Sequence, residues 1–177
     1  MPITAQQLLQ ILPNARTQAG VFVSALNTAM QHYQIVGLKR AAAFIAQIGH
    51  ESGQLRYVRE IWGPTAAQLG YEGRADLGNT VPGDGRKYCG RGLVQITGRA
   101  NYAKCGEALG LNLISFPELL ELPQHAAMSA AWFWKQNGLN DLADRDQFNT
   151  ITRRINGGLN GLQDRLEIWS RARAVLA

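Results

Sequence analysis

Apolar residues recur at intervals of three and four along several stretches of the chain, and this spacing predicts amphipathic helices. Over residues 15–33, Val21, Phe22, Ala25, Leu26, Ala29, Met30 and Tyr33 form one buried stripe behind Pro13-Asn14. Residues 38–51 repeat the pattern through Ala42, Ile45 and Ile48, and Gly53 supplies the flexible residue that closes a helix. Glu51 is therefore expected at a helix C-terminus. Further helices are expected over residues 101–109, stopped by Gly110, and over 123–137, stopped by Gly138, with Ala127, Ala131 and Trp134 on one side. The last two cover residues 147–155, ending in Asn156-Gly157-Gly158, and 162–176, with Leu162, Leu166, Trp169 and Leu176 on a common face.

Between residues 63 and 92 this periodicity stops. Eight glycines and two prolines punctuate the segment, and Tyr71, Glu72, Arg74, Asp84, Arg86, Tyr88 and Arg91 lie among them. Long irregular segments inside a compact domain are uncommon and usually functional. This one reads as a binding wall, with room for a short hairpin. The fold class is mainly α, and the 177 residues are expected to form one domain.

Composition narrows the setting. Lys plus Arg is 18 against 13 for Asp plus Glu, a net charge of +5, which favours anionic partners without choosing among nucleic acid, anionic lipid and anionic polymer. The arginines are scattered and no recognised nucleic-acid motif gathers them, so nucleic acid is not expected as a partner. No apolar stretch approaches the roughly 20 residues a membrane span needs. The opening residues carry no cationic head, so no signal peptide is expected. Cys89 and Cys105 have no metal or disulfide spacing and read as free, buried thiols.

The chemistry is reached by elimination. His32, His50 and His125 fall in no zinc-ligand pattern, no Ser sits in a Gly-x-Ser-x-Gly elbow, and the glycine-rich segment has no phosphate-binding signature. Neither metal nor organic cofactor is expected. Carboxylates remain. Glu51 follows the apolar run 41–48, so its carboxyl starts at the edge of the core, the desolvated setting of a general acid. Glu60 comes nine residues later, between Arg59 and Trp62. Hydrolysis of a glycosidic bond needs one carboxyl to donate a proton and another to activate water. The alternative for the same residues is structural: Glu51 pairing locally with Arg56 or Arg59, and Glu60 merely exposed.

Three ordered motifs bear on that choice. His50-Glu51-Ser52-Gly53, the run Tyr88-Cys89-Gly90-Arg91-Gly92-Leu93-Val94-Gln95-Ile96-Thr97-Gly98-Arg99-Ala100-Asn101-Tyr102, and Ile155-Asn156-Gly157-Gly158-Leu159-Asn160 with Arg165 together resemble family 19 glycoside hydrolases. Within that family the chain is most similar to the compact bacteriophage and prophage endolysins. The resemblance implies a lysozyme-like helical domain with the glycine-rich segment lining a substrate cleft. It implies Glu51 as general acid, Glu60 as general base, Thr97 as the residue positioning water, and Gln95 and Asn156 as sugar contacts. Inversion at the anomeric carbon follows as an expectation. Thr97 stands where plant members commonly have Ser, and Cys89 where an aromatic residue is frequent. Glu72 is the rival for the second carboxylate.

Tyr71, Tyr88 and Trp62 are placed to stack on pyranose rings, whereas Trp132, Trp134 and Trp169 read as core. Arg91 is expected to hold its loop, with a substrate clamp as the alternative. His50, a helix neighbour of Glu51, points about 100° away and is expected to pack. Arg165, Arg171 and Arg173 are expected on a solvated cationic face, with contact to anionic lipid as the alternative. Taken with the resemblance, the expected protein is a monomeric endolysin-type lysozyme acting on peptidoglycan glycan strands, weakly attracted to the anionic envelope. It would be held in the bacterial cytoplasm until released to the wall. A chitinase and a non-catalytic wall-binding module are the alternatives.

Overall fold

The computed structural model describes residues 2–177 and is mainly helical. In chain order the helices are α1 (Ala5–Ile11), α2 (Gln18–His32), α3 (Leu38–Glu51), α4 (Ala66–Leu69), α5 (Asp84–Lys87), α6 (Arg99–Leu109), α7 (Pro123–Gln136), α8 (Leu139–Asp144), α9 (Phe148–Asn156) and α10 (Leu162–Leu176). Among the described residues no helix is long and apolar enough to cross a membrane.

The centre of the molecule is α3. Ala42 to Gly49 are all buried, so the helix is covered on every side, with α10 packed along it and α8 against it. At Gly49 the close approach leaves no room for a side chain: a Cβ there would lie 2.6 Å from Leu12 Cδ2 and 3.6 Å from Ile168 Cδ1. α2 packs on α7, and Phe44 meets Trp134 edge-to-face at 5.4 Å. Each fully buried Leu, Ile or Phe in this core contributes on the order of 1.5–3 kcal/mol of transfer free energy. A second, smaller cluster, formed by Tyr88, Ile96, Tyr102, Cys105, Leu113 and Leu120, sits under the glycine-rich segment. Cys89 and Cys105 are both free and buried, and burial pushes the Cys105 thiol up to about 12.

Several elements depart from the pattern reading. α1 is an additional helix; Thr4 caps it by accepting from the Gln7 backbone N–H while Gln7 returns a side-chain bond, a device that stabilises even two turns. α8 is also additional. Val21 is 52% exposed rather than part of the α2 stripe, since Phe22, Leu26, Ala29 and Met30 already fill the contact with the core. The segment 63–92 holds two one-turn helices, α4 and α5, and a 3-10 turn over Ala75–Leu77. In place of a regular hairpin there are two isolated antiparallel bridges, Arg59 to Arg91 and Arg91 to Ile96.

Candidate active site

α3 delivers Glu51 with one carboxylate oxygen already engaged. Arg165 Nη2 donates to Glu51 Oε1 at 2.5 Å, and Arg165 Nη1 donates to Gln47 Oε1 at 2.6 Å. Gln47 lies one helical turn before Glu51 on the same face, and its Nε2 donates to Thr152 Oγ1 at 2.9 Å. Arg165 and Gln47 are fully buried, while the Glu51 side chain keeps 21% of its surface exposed. The guanidinium thus sits inside with its charge paired and its donors used, as a buried cation requires. The partner of Glu51 is neither Arg56 nor Arg59, because α10 lies alongside α3 and presents Arg165 directly. His50, one residue earlier, contacts Asp164 Oδ2 through Nδ1 at 2.6 Å, so consecutive residues at the end of α3 are tied to consecutive residues of α10.

Glu60 is set by backbone pairing. Its N–H donates to the Gly90 carbonyl at 2.9 Å, and Gly92 N–H donates to the Val58 carbonyl at 2.8 Å, which fastens the 58–60 segment to the motif loop. Gln68 Nε2 donates to Glu60 Oε1 and Tyr71 OH donates to Glu60 Oε2, each at 3.3 Å. A Cβ at Gly90 would lie 2.6 Å from Gln95 Oε1 and 3.0 Å from Glu60 Oε2, so these two side chains converge over a bare glycine. Trp62 and Tyr71 stand side by side, ring centroids 6.4 Å apart and both partly exposed. Burial, followed by the neighbouring Glu60 carboxylate, holds the Tyr71 hydroxyl above its ordinary range, so it stays a proton donor.

The loop that carries Gln95 and Thr97 turns tightly: Arg91 and Ile96 exchange both backbone bonds, and Gln95 occupies the left-handed region at φ 58°. Gln95 Nε2 donates to the Gly92 carbonyl at 3.0 Å, and Thr97 Oγ1 donates to the Gln95 carbonyl at 2.9 Å. The Thr97 hydroxyl proton is therefore committed, leaving its oxygen as an acceptor. Asn156 closes α9, and its side-chain Nδ2 is a buried donor without a hydrogen-bond partner among the described residues.

Other sequence expectations change here. Tyr88 is fully buried; its hydroxyl donates to the Ile114 carbonyl at 2.9 Å and its ring packs against Tyr102, so it belongs to the second core cluster and offers no face to a sugar. Glu72 has both oxygens filled by backbone amides, Gly83 N–H at 2.7 Å and Gly85 N–H at 2.9 Å, which makes it the brace of the segment 83–85. Arg91 is 5% exposed and spreads its donors over Glu121, the Lys87 carbonyl and the Tyr102 hydroxyl, holding the loop from beneath. Arg165 does not share a solvated face with Arg171 and Arg173. Those two are anchored as well, Arg171 to the Ile11 carbonyl and Arg173 to Asp146.

Three residues at the site escaped the pattern reading as contributors to it: Gln47, Gln68 and Arg165. A signal existed for each. Gln47 is a lone polar residue in the apolar run of α3, four positions before Glu51; Gln68 completes a Thr-x-x-Gln capping pattern; and Arg165 belongs to the third motif. Among the described residues no three His, Cys, Asp or Glu side chains gather closely enough to hold a metal ion.

Comparisons with known proteins bear on this geometry. The family model described as chitinase class I matches residues 17–144. A Haemophilus influenzae protein described as glycosyl hydrolase family 19 domain-containing is 31% identical over 196 residues, covering 96% of this chain and 94% of that protein. An Arabidopsis thaliana endochitinase is 36% identical over 138 residues, covering 77% of this chain but 46% of the plant protein, so the chain spans about half the length of the plant relatives it matches. Among solved structures, a bacterial family 19 chitinase superposes with a TM-score of 0.79 at 28% identity, covering all of this chain and 96% of its own. Chitinase C from Streptomyces griseus gives 0.76 at 26% identity, covering 98% of this chain and 76% of its own. With the family model spanning most of its length and a relative of matching size, the chain belongs to glycoside hydrolase family 19 and is a glycoside hydrolase.

Proposed function

We propose that the chain is an endolysin-type lysozyme, a single catalytic unit working as a monomer on the β-1,4-linked glycan of bacterial peptidoglycan. The observation that carries this reading is the contrast between two carboxyls: Glu51 held through one oxygen by a buried guanidinium, and Glu60 held by neutral donors beside Gln95. Glu51 Oε2 donates its proton to the leaving glycosidic oxygen, and Arg165 stabilises the carboxylate that forms as the bond breaks. Glu60 takes a proton from the water that attacks the anomeric carbon from the opposite face, the inverting arrangement. The Thr97 oxygen and Gln95 orient that water. Asn156, at the end of α9, is read as a sugar contact, and Trp62 and Tyr71 offer ring faces to pyranoses. No cofactor takes part.

The net charge of +5 favours the anionic wall polymer over uncharged chitin and implies a rate that falls with added salt. Release from the cytoplasm to the wall through a membrane lesion belongs to the same reading. A chitinase is the second reading, favoured by the solved chitinases that share the fold and by the plant endochitinase relatives. Mass spectrometry of products from purified peptidoglycan and from N-acetylglucosamine oligomers separates the two. New reducing-end N-acetylmuramic acid identifies the lysozyme; products from the oligomers alone identify a chitinase. Binding without products from either polymer would leave a wall-binding module.

A further inference from the structure

The side chain of Gln68 faces two ways. As the third residue of α4, it completes a capping box: Gln68 N–H donates to Thr65 Oγ1 at 3.2 Å, and Gln68 Oε1 accepts from Thr65 N–H at 2.8 Å and from Gly63 N–H at 3.1 Å. Its amide nitrogen spends its two hydrogens on the other side, on the Ile61 carbonyl at 2.8 Å and on Glu60 Oε1 at 3.3 Å. Gln68 is 7% exposed, so these bonds are shielded from solvent. Capping this helix needs only an acceptor, for which Glu serves as well as Gln. A donor toward Glu60 and Ile61 needs the amide. The amide of residue 68 is therefore explained by the Ile61 carbonyl and the Glu60 carboxylate together, and not by the helix cap.

We infer that Gln68 is a positioning residue for catalysis: it couples the one-turn helix α4 to Glu60, and together with Tyr71 holds that carboxylate in place. The inference rests on the reading of Glu60 as the general base. α4 has four residues, too few to persist without its capping box, so the geometry of the base depends on the closure of the 61–68 turn. The two donors take one oxygen each, Gln68 on Oε1 and Tyr71 on Oε2. This arrangement fixes the carboxylate plane and leaves each oxygen a further lone pair for water. Around it the titratable and charged groups are Tyr71 itself, Arg74 and Cys89, which act on Tyr71, and Arg59, whose guanidinium turns away toward Glu121 at 3.8 Å.

The substitution Gln68→Glu separates the two faces of the residue. It keeps the capping acceptor, removes the donor, and sets a second carboxyl against Glu60, where two like groups titrate as a pair with the second proton released at higher pH. Reducing-end release from peptidoglycan sacculi and from N-acetylglucosamine hexamer, measured across pH for wild type, Gln68→Glu, Tyr71→Phe and Glu60→Gln alongside melting temperatures, tests it. The expected result is a folded Gln68→Glu with a modestly lowered melting temperature, because its second oxygen replaces the donor to the Ile61 carbonyl, together with kcat lowered about tenfold or more with little change in KM, and an acid limb moved upward by about one pH unit. Tyr71→Phe shifts the acid limb in the same direction by a smaller amount. An inactive Glu60→Gln beside a Gln68→Glu and a Tyr71→Phe that both keep the wild-type kcat and acid limb would overturn the inference alone. A Glu60→Gln enzyme as active as wild type would overturn the reading of Glu60 on which it rests.

Discussion

Arg165 and Glu51 stand 114 positions apart in the chain and meet at 2.5 Å, with the guanidinium 1% exposed. This pair joins the last helix to the end of the central one, and it is as much a part of the fold as of the site. Removing the cation strands Gln47 Oε1 and one Glu51 oxygen in a water-poor setting. Arg165→Leu is expected to cost about 2–4 kcal/mol in urea unfolding, below the top of the range for a broken buried pair because Glu51 is partly solvated. Activity is expected to fall at least about a hundredfold, since the acid loses both its aim and its stabilising charge. Arg165→Lys should recover stability better than activity, because a single ammonium cannot reproduce the fork that spans Gln47 and Glu51.

Gly161 tests the neighbouring tie. It lies at φ +69°, and a Cβ there would come 2.2 Å from His50 Cε1 and 2.4 Å from Nε2. Gly161→Ala must therefore push the imidazole away from Asp164 while also straining the backbone, at a cost of about 1–3 kcal/mol. Because His50 precedes Glu51, the displacement reaches the acid. A melting curve and a rate on one preparation check both effects.

Gly90→Ala is expected to behave in the opposite way. The two nearest atoms its Cβ would meet are the ends of the Gln95 and Glu60 side chains, which can swing aside, and the third, Gln95 Cβ at 3.3 Å, needs a shift of only a few tenths of an ångström. Stability should change by less than about 1 kcal/mol. Activity should fall at least about tenfold, because a displacement of about 1 Å at the base and its water contact is enough for that. Thermal unfolding and initial rates, compared with wild type, distinguish this outcome from a general loss of fold.

Asp84 gives the pH dependence of stability. Bidentate bonds from Arg99, both at 2.7 Å, hold its carboxyl below the ordinary 3.8, against the opposing effect of burial. A carboxyl lowered by folding contributes stability that is fully present above 3.8 and is lost as pH falls through its folded value. Asp144 and Asp146 shift the same way, paired with Arg40 and Lys39, but their pairs lie at the surface and contribute less. The melting temperature is expected to drop as pH falls below about 4, and Asp84→Asn should lower it at neutral pH while flattening that acid dependence.

Helices α3, which carries Glu51, and α7, which packs against α2, are legible because they bury long apolar faces, so their periodicity survives any local competition. Thr4-x-x-Gln7 and Thr65-x-x-Gln68 mark helices too short for periodicity to register, and here capping chemistry is the better guide. Spacing puts Glu51 at a helix end, as observed, but the local structural alternative could offer it only Arg56 or Arg59, near in sequence, whereas the packing of α10 on α3 supplies Arg165. Tyr88 shows the converse error: an aromatic residue in a glycine-rich loop reads as a ligand platform, but the loop folds over its own small core and encloses the ring. Such outcomes depend on which elements pack together, and residue spacing does not encode that.

The most direct test of the account is proton NMR of the anomeric signals during the first turnovers on peptidoglycan fragments and N-acetylglucosamine oligomers, with wild type, Glu51→Gln and Glu60→Gln. Paired acid and base across a bound water predict that the α-anomer appears first with wild type and that neither variant forms product on the same timescale. A β-anomer appearing first, or a wild-type rate from Glu51→Gln, would contradict it.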